Sequence, residues 1–113
     1  MSLLSEKLEL WNLIRALNDR DAFAVKSVTS AYTVTRADSI ILADATGGAF
    51  TVTLVTPVGI KARRYTIKRL NAGANAVTIA TASGLIDGAA TQALAAQYAK
   101  ITVVSDGTNW QTV

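Results

Sequence analysis

Eight carboxylates and eleven Lys/Arg side chains carry the chemistry of this chain, which contains no histidine and no cysteine. The acids are Glu6, Glu9, Asp19, Asp21, Asp38, Asp44, Asp87 and Asp106. Glycoside hydrolysis needs two carboxylates facing each other across a sugar. Asp38 and Asp44 are the pair in question, yet nothing in the sequence brings them together. Asp87 and Asp106 each precede a glycine, where aspartate is favoured because its carboxylate bonds the local backbone. The missing residue types exclude more. Without histidine there is no Ser-His-Asp triad and no imidazole metal ligand. Without cysteine there is no disulfide framework, thiolate nucleophile or Cys-based zinc site. Thr46-Gly47-Gly48-Ala49 lacks the Lys-Ser/Thr of a phosphate-binding loop. Asp87-Gly88 and Asp106-Gly107-Thr108-Asn109 do not continue into a calcium loop. These residues predict no catalytic centre, no metal and no cofactor, and the chain reads as not an enzyme.

The cations are more suggestive. The formal net charge is +3. Residues 1–26 sum to zero, and the excess gathers in Lys61, Arg63, Arg64, Lys68 and Arg69. Five cations in nine residues can meet phosphate, an acidic partner or an acidic glycan. They equally suit a solvated strand and turn whose charges deter edge-to-edge pairing. Only 6% of the residues are aromatic. No basic–aromatic interleaving marks a nucleotide-stacking sheet, so no specific nucleic-acid partner is expected. Trp110 and Tyr98 can stack on a sugar ring, but Trp in a final strand more often closes a core.

Two periodicities divide the chain. Residues 1–21 read as an N-terminal α-helix, with Ser2 or Ser5 as N-cap and Glu6 and Glu9 near the positive dipole end. Leu3, Leu10 and Leu17 recur at seven residues, and Leu13 and Ile14 fill between them. This stripe is wider than one surface helix needs. It is covered either by the β-domain of the same chain or by helices of other subunits, and at this length it cannot form a coiled coil alone. Leu3, Leu10, Leu13, Ile14 and Leu17 are the candidate oligomerisation residues. Residues 22–113 read as a mainly β, β-sandwich-like domain of short strands. The strands fall at Ala22–Val28, Ala31–Thr35, Ser39–Ala43, Ala49–Val55, Arg63–Leu70, Ala76–Ala80, Gln92–Ala95, Lys100–Ser105 and Trp110–Val113. Glycine-bearing turns separate many of them. Residues 48–54 and 74–79 resemble each other as a small-residue turn feeding a Val-Thr strand, too briefly to define a repeat. No segment approaches the ~20 apolar residues of a membrane span. The N-terminus lacks a signal-peptide pattern.

The order of several short motifs resembles a recurring domain of bacteriophage fibres and related virion proteins. Asp38-Ser39-Ile40-Ile41-Leu42-Ala43-Asp44 is followed by Phe50-Thr51-Val52-Thr53-Leu54 and Arg64-Tyr65-Thr66-Ile67-Lys68. Ala76-Val77-Thr78-Ile79, Leu85-Ile86-Asp87-Gly88 and Val104-Ser105-Asp106-Gly107-Thr108-Asn109-Trp110 complete the order. The resemblance covers about residues 31–113. Leu54-Val55-Thr56-Pro57 departs from the family's "LP" turn. The resemblance implies a structural virion protein, made in the host bacterial cytoplasm: a capsid decoration, head fibre or tail-fibre component. It implies a homo-oligomer, preferably a trimer, that meets other capsid or tail proteins. A host-surface glycan-binding module is the alternative. No catalytic residue comes with the family.

Overall fold

The structure, a computed structural model, describes Leu10 and residues 24–113. The expected N-terminal helix lies outside the described residues, Leu10 apart. Residues 24–113 contain no helix. They form nine strands: β1 (Val25–Val28), β2 (Tyr32–Thr33), β3 (Ile40–Ala43), β4 (Phe50–Leu54), β5 (Arg64–Arg69), β6 (Val77–Thr81), β7 (Thr91–Leu94), β8 (Lys100–Ser105) and β9 (Trp110–Thr112). Each falls within or overlaps a strand expected from alternation of apolar and polar residues.

The pairing was not legible. The first six strands alternate between two mixed sheets. One sheet has the order β1-β3-β5-β8-β9 and the other β2-β4-β6-β7. Strands β1, β3 and β5 are parallel, as are β2, β4 and β6. Parallel strands usually need a helical crossover. Here the crossover from one strand to its parallel neighbour is a strand of the opposite sheet. The chain therefore winds through three rungs: β1 with β2, β3 with β4, and β5 with β6. Strands β7, β8 and β9 then return antiparallel and cover the last rung. The two briefly self-similar segments of the sequence lie on adjacent parallel strands of this stack. Phe50, Thr51 and Val52 pair with Val77, Thr78 and Ile79.

Both sheets feed one core. Val28, Ile41, Ala43, Tyr65, Ile67, Val103 and Trp110 enter from the first sheet, and Val52, Leu54, Val77, Ile79 and Leu94 from the second. The alternation decides which residues these are, since successive side chains point to opposite faces. Trp110 is fully buried. Its indole N–H donates to the carbonyl of Val55 and to the Thr81 hydroxyl, each at 3.1 Å, tying the last strand to the opposite sheet. Its ring meets Tyr65 edge-on, with centroids 5.7 Å apart. Tyr98, in contrast, lies outside the strands. The strand ends at Leu94, a turn follows, and Tyr98 stands 60% exposed with a φ of 62°.

Asp87-Gly88 makes a two-residue turn in which both residues have positive φ, the mirror-image turn that this dipeptide favours. Gly84 is needed for a different reason. A Cβ there would stand 2.6 Å from the Thr108 carbonyl oxygen, on a backbone at φ +71°. Gly59, at φ +82°, has open space instead. Alanine at either site pays the positive-φ penalty, but only Gly84→Ala also pushes the 83–85 segment off the 106–109 turn. Gly84→Ala is expected to cost about 1–3 kcal/mol more than Gly59→Ala by urea denaturation. Equal losses would show that the close approach is not held in solution.

Candidate functional site

The corners between strands account for most of the charged and amide side chains. At the β2–β3 corner, the Asp38 carboxylate accepts from the Tyr32 hydroxyl at 2.6 Å, the Thr35 amide at 2.9 Å and the Thr35 hydroxyl at 3.2 Å. Arg63, at the equivalent corner of the next rung, donates to the Arg36 carbonyl at 3.0 Å and to the Asp38 carbonyl. Its guanidinium lies 4.5 Å from the Tyr65 ring centroid. The Tyr65 hydroxyl donates to the Thr35 carbonyl at 3.0 Å. At the opposite corner, Asn71 accepts from the Ala45 amide at 2.9 Å and donates to the carbonyls of Ala72 and Asn75. Asn75 returns a bond to the Ala45 carbonyl at 3.0 Å.

The five cations of the Lys61–Arg69 stretch are thus not one patch. Arg69 is fully buried, and this corrects the expectation that it meets a partner. It shares strand parity with Tyr65 and Ile67, so it points into the core. Its guanidinium donates to the Leu94 carbonyl at 3.1 Å and the Gly73 carbonyl at 2.5 Å, while Nε has no partner. Arg63 is half-buried and committed to the β2–β3 corner. Lys61, Arg64 and Lys68 remain available, with Lys61 and Arg64 exposed and Lys68 half-buried.

Arg64 and Lys68 belong to the outward face of the five-stranded sheet. Registers place Val25, Ile40, Thr66 and Thr102 in one row across it, and the Val113 amide bonds the Thr102 carbonyl at its end. Ser27, Leu42, Lys68 and Lys100 form the next row. Neither row holds a carboxylate. Thr66 and Thr102 share a hydroxyl–hydroxyl bond of 2.9 Å. An open depression of about 440 Å³ lies here, lined by Ser39, Ile40, Ala62, Arg63, Arg64, Thr66 and Thr102. A smaller one of about 250 Å³ lies beside it, against Arg36, Ile60, Arg63 and Tyr65. Arg63 lines both.

The described carboxylates build turns. Asp38 and Asp44 flank the whole of β3, up to roughly 20 Å apart at the usual strand rise, and do not face each other. The Thr46 hydroxyl and amide hold Asp44 below its ordinary pKa of 3.8. The Thr112 hydroxyl and amide do the same for Asp87. The amides of Asn109 and Thr108, and then Gln111, do so for Asp106. No group of three or more potential metal ligands occurs among the described residues. No described helix is long and apolar enough to cross a membrane. Of the candidate association residues, Leu3, Leu13, Ile14 and Leu17 lie outside the described residues, and Leu10 is 57% exposed.

Sequence reasoning missed Asn71, Asn75 and Arg69 as structural residues, and Lys100 as part of the cationic face. Asn71 and Asn75 flank a glycine turn and read as ordinary turn formers. Lys100 is distant in sequence and joins Lys68 only through the antiparallel β5–β8 register. No protein-family model matches the chain, and no curated protein matches it.

Two titrations test these corners. The hydrogen bond to Asp38, then burial, push the Tyr32 phenol up to about 12. That interaction stabilises the fold below pH 10 and is lost as pH rises from 10 towards 12. Ultraviolet titration of wild type minus Tyr32→Phe is expected to show a phenol ionising near 12; ionisation near the ordinary value of 10 would refute the bond. The three depressed aspartates act at the other end. Their contribution is present above 3.8 and fades as pH falls through and below it. Asp87→Asn is expected to flatten the acid side of the urea-midpoint profile, whereas an unchanged slope would exclude a role for its bonds to Thr112.

Proposed function

We propose that this chain is a structural bacteriophage virion protein, a capsid decoration, head-fibre or tail-fibre component that works by self-assembly and attachment to the particle. The observation that carries this reading is the outward face of the five-stranded sheet. Its Val25–Ile40–Thr66–Thr102 row is apolar and hydroxyl-bearing, with Ile40, Thr66 and Thr102 half-buried and Val25 54% exposed. Such a face fits a contact surface better than a reaction site. The ordered motifs in residues 31–113 support the same reading by their resemblance to phage fibre domains. Rigid corners built from side chain to backbone bonds suit a module that must pack in a fixed register. The finer architecture proposed is a sandwich-like β-module projecting from an N-terminal association segment, in a homotrimer.

A second reading keeps one observation. A host-glycan module would use an exposed aromatic platform. Trp110 is buried and cannot serve, but Tyr98 is exposed and has the Lys68 ammonium 5.4 Å from its ring centroid. The ring and cation suit a sugar bearing an acidic group.

Light scattering at micromolar concentration is expected to give three times the chain mass, and a monomer would overturn the assembly reading. A glycan-array signal abolished by Tyr98→Ala, in a chain that still folds, would establish the second reading instead.

A further inference from the structure

We propose that the outward face of the five-stranded sheet receives the N-terminal segment, residues 1–23, of a second copy of this chain. This rests on the self-assembly reading and gives it a specific interface.

Lys68 and Lys100 stand directly opposite each other in the antiparallel β5–β8 register. Hydrogen bonds join the flanking Arg69 and Ala99, so Lys68 and Lys100 form a non-hydrogen-bonded pair, the kind with closer side chains. Like charges placed in this way destabilise a sheet. The Lys68 ammonium reaches the Tyr98 ring, and Lys100 and Arg64 have no side-chain hydrogen bond or ion pair among the described residues. A carboxylate between the two ammonium groups would remove the repulsion. The described carboxylates are engaged elsewhere: Asp38 accepts from Tyr32, Asp44 from Thr46, Asp87 from Thr112 and Asp106 from Thr108.

The other four carboxylates of the chain are Glu6, Glu9, Asp19 and Asp21, all within residues 1–23. That segment carries three cations and so has a net charge of −1, whereas residues 24–113 carry eight cations and four acids, a net of +4. It also carries Leu3, Leu4, Leu8, Leu10, Trp11, Leu13, Ile14 and Leu17. The receiving face has the matching composition: apolar Val25, Ile40 and Leu42 beside cations. A nucleic acid would satisfy the cations and leave the apolar row uncovered. Two such faces packed on each other would oppose cation to cation. An acidic and apolar polypeptide satisfies both features, and the chain contains one.

The segment ends at residue 23, next to Val25, the first residue of the apolar row. Leu10, within this segment, is 57% exposed. Docking onto a second copy covers it. Such a contact joins two different surfaces, so it closes into a ring at a suitable rotation, in keeping with a trimer.

The test uses the full-length chain and sedimentation over a range of concentrations. Arg64→Glu, Lys68→Glu and Lys100→Glu together are expected to weaken assembly by about tenfold or more. Adding Glu6→Lys, Glu9→Lys, Asp19→Lys and Asp21→Lys to that variant is expected to restore it. Far-ultraviolet circular dichroism shows whether each variant folds. A zero-length carbodiimide cross-link needs no variant. In mixed light and heavy-isotope protein, Lys68 or Lys100 is expected to couple to Glu6, Glu9, Asp19 or Asp21 of the other isotope. A wild-type monomer would overturn the assembly reading itself. A wild-type oligomer that tolerates the folded triple reversal, or that yields these cross-links only within one chain, would overturn this interface alone.

Discussion

The structure depends on one constraint: the chain crosses between two sheets, and every crossing leaves backbone groups without a ladder partner. Buried backbone donors and acceptors must be paired. Because the strands stack in parallel, each corner sits against the equivalent corner of the next rung. A side chain at one corner can therefore satisfy the backbone of its neighbour. Asn71 follows β5 and accepts from Ala45, which follows β3. Arg63 precedes β5 and donates to the carbonyls of Arg36 and Asp38, which precede β3. The two corners that flank β3 and β5 are held in the same way, one by amides and one by a guanidinium.

This constraint explains why a cation is buried. Arg69 points inward because strand parity demands it. An inward guanidinium without a carboxylate is costly. The cost is reduced by two carbonyls, those of Leu94 and Gly73, which are chain-end groups of the kind that corners leave unpaired. The residue joins β5, the loop before β6 and the end of β7. Its charge is incidental to this role, whereas its reach and fork of donors are not.

Strands were legible because apolar alternation is a local property. Phe50, Val52 and Leu54 could be assigned to one face without knowing their neighbours. Parallel pairing was not, because it is a relation between segments 15 to 27 residues apart, as Val25↔Ile40 and Phe50↔Val77 illustrate. The Val-Thr echo between residues 48–54 and 74–79 lies on paired strands, but matching Val52-Thr53 to Val77-Thr78 misses the register by two residues, since Val52 pairs with Ile79. The cationic stretch misled for a related reason. Adjacency in sequence places Arg63, Arg64, Lys68 and Arg69 together, but a strand sends them to two faces. The face that matters gains Lys100 from another strand, and no spacing rule links residue 68 to residue 100.

The two ends of the stack differ, and the difference bears on how copies can meet. At the C-terminal end, β7 and β8 run antiparallel to the last rung and cap both sheets, as terminal units of stacked folds must. At the N-terminal end, β1 and β2 each pair on one side only among the described residues. An open parallel edge invites another strand. This one is guarded: β2 is only two residues long, and Lys26 in β1 holds its ammonium 5.7 Å from the Tyr32 ring. Short edge strands and edge lysines discourage strand addition. In the assembly proposed above, contact through the outward face of the five-stranded sheet leaves this edge unused. Face packing preserves the rung count of each copy.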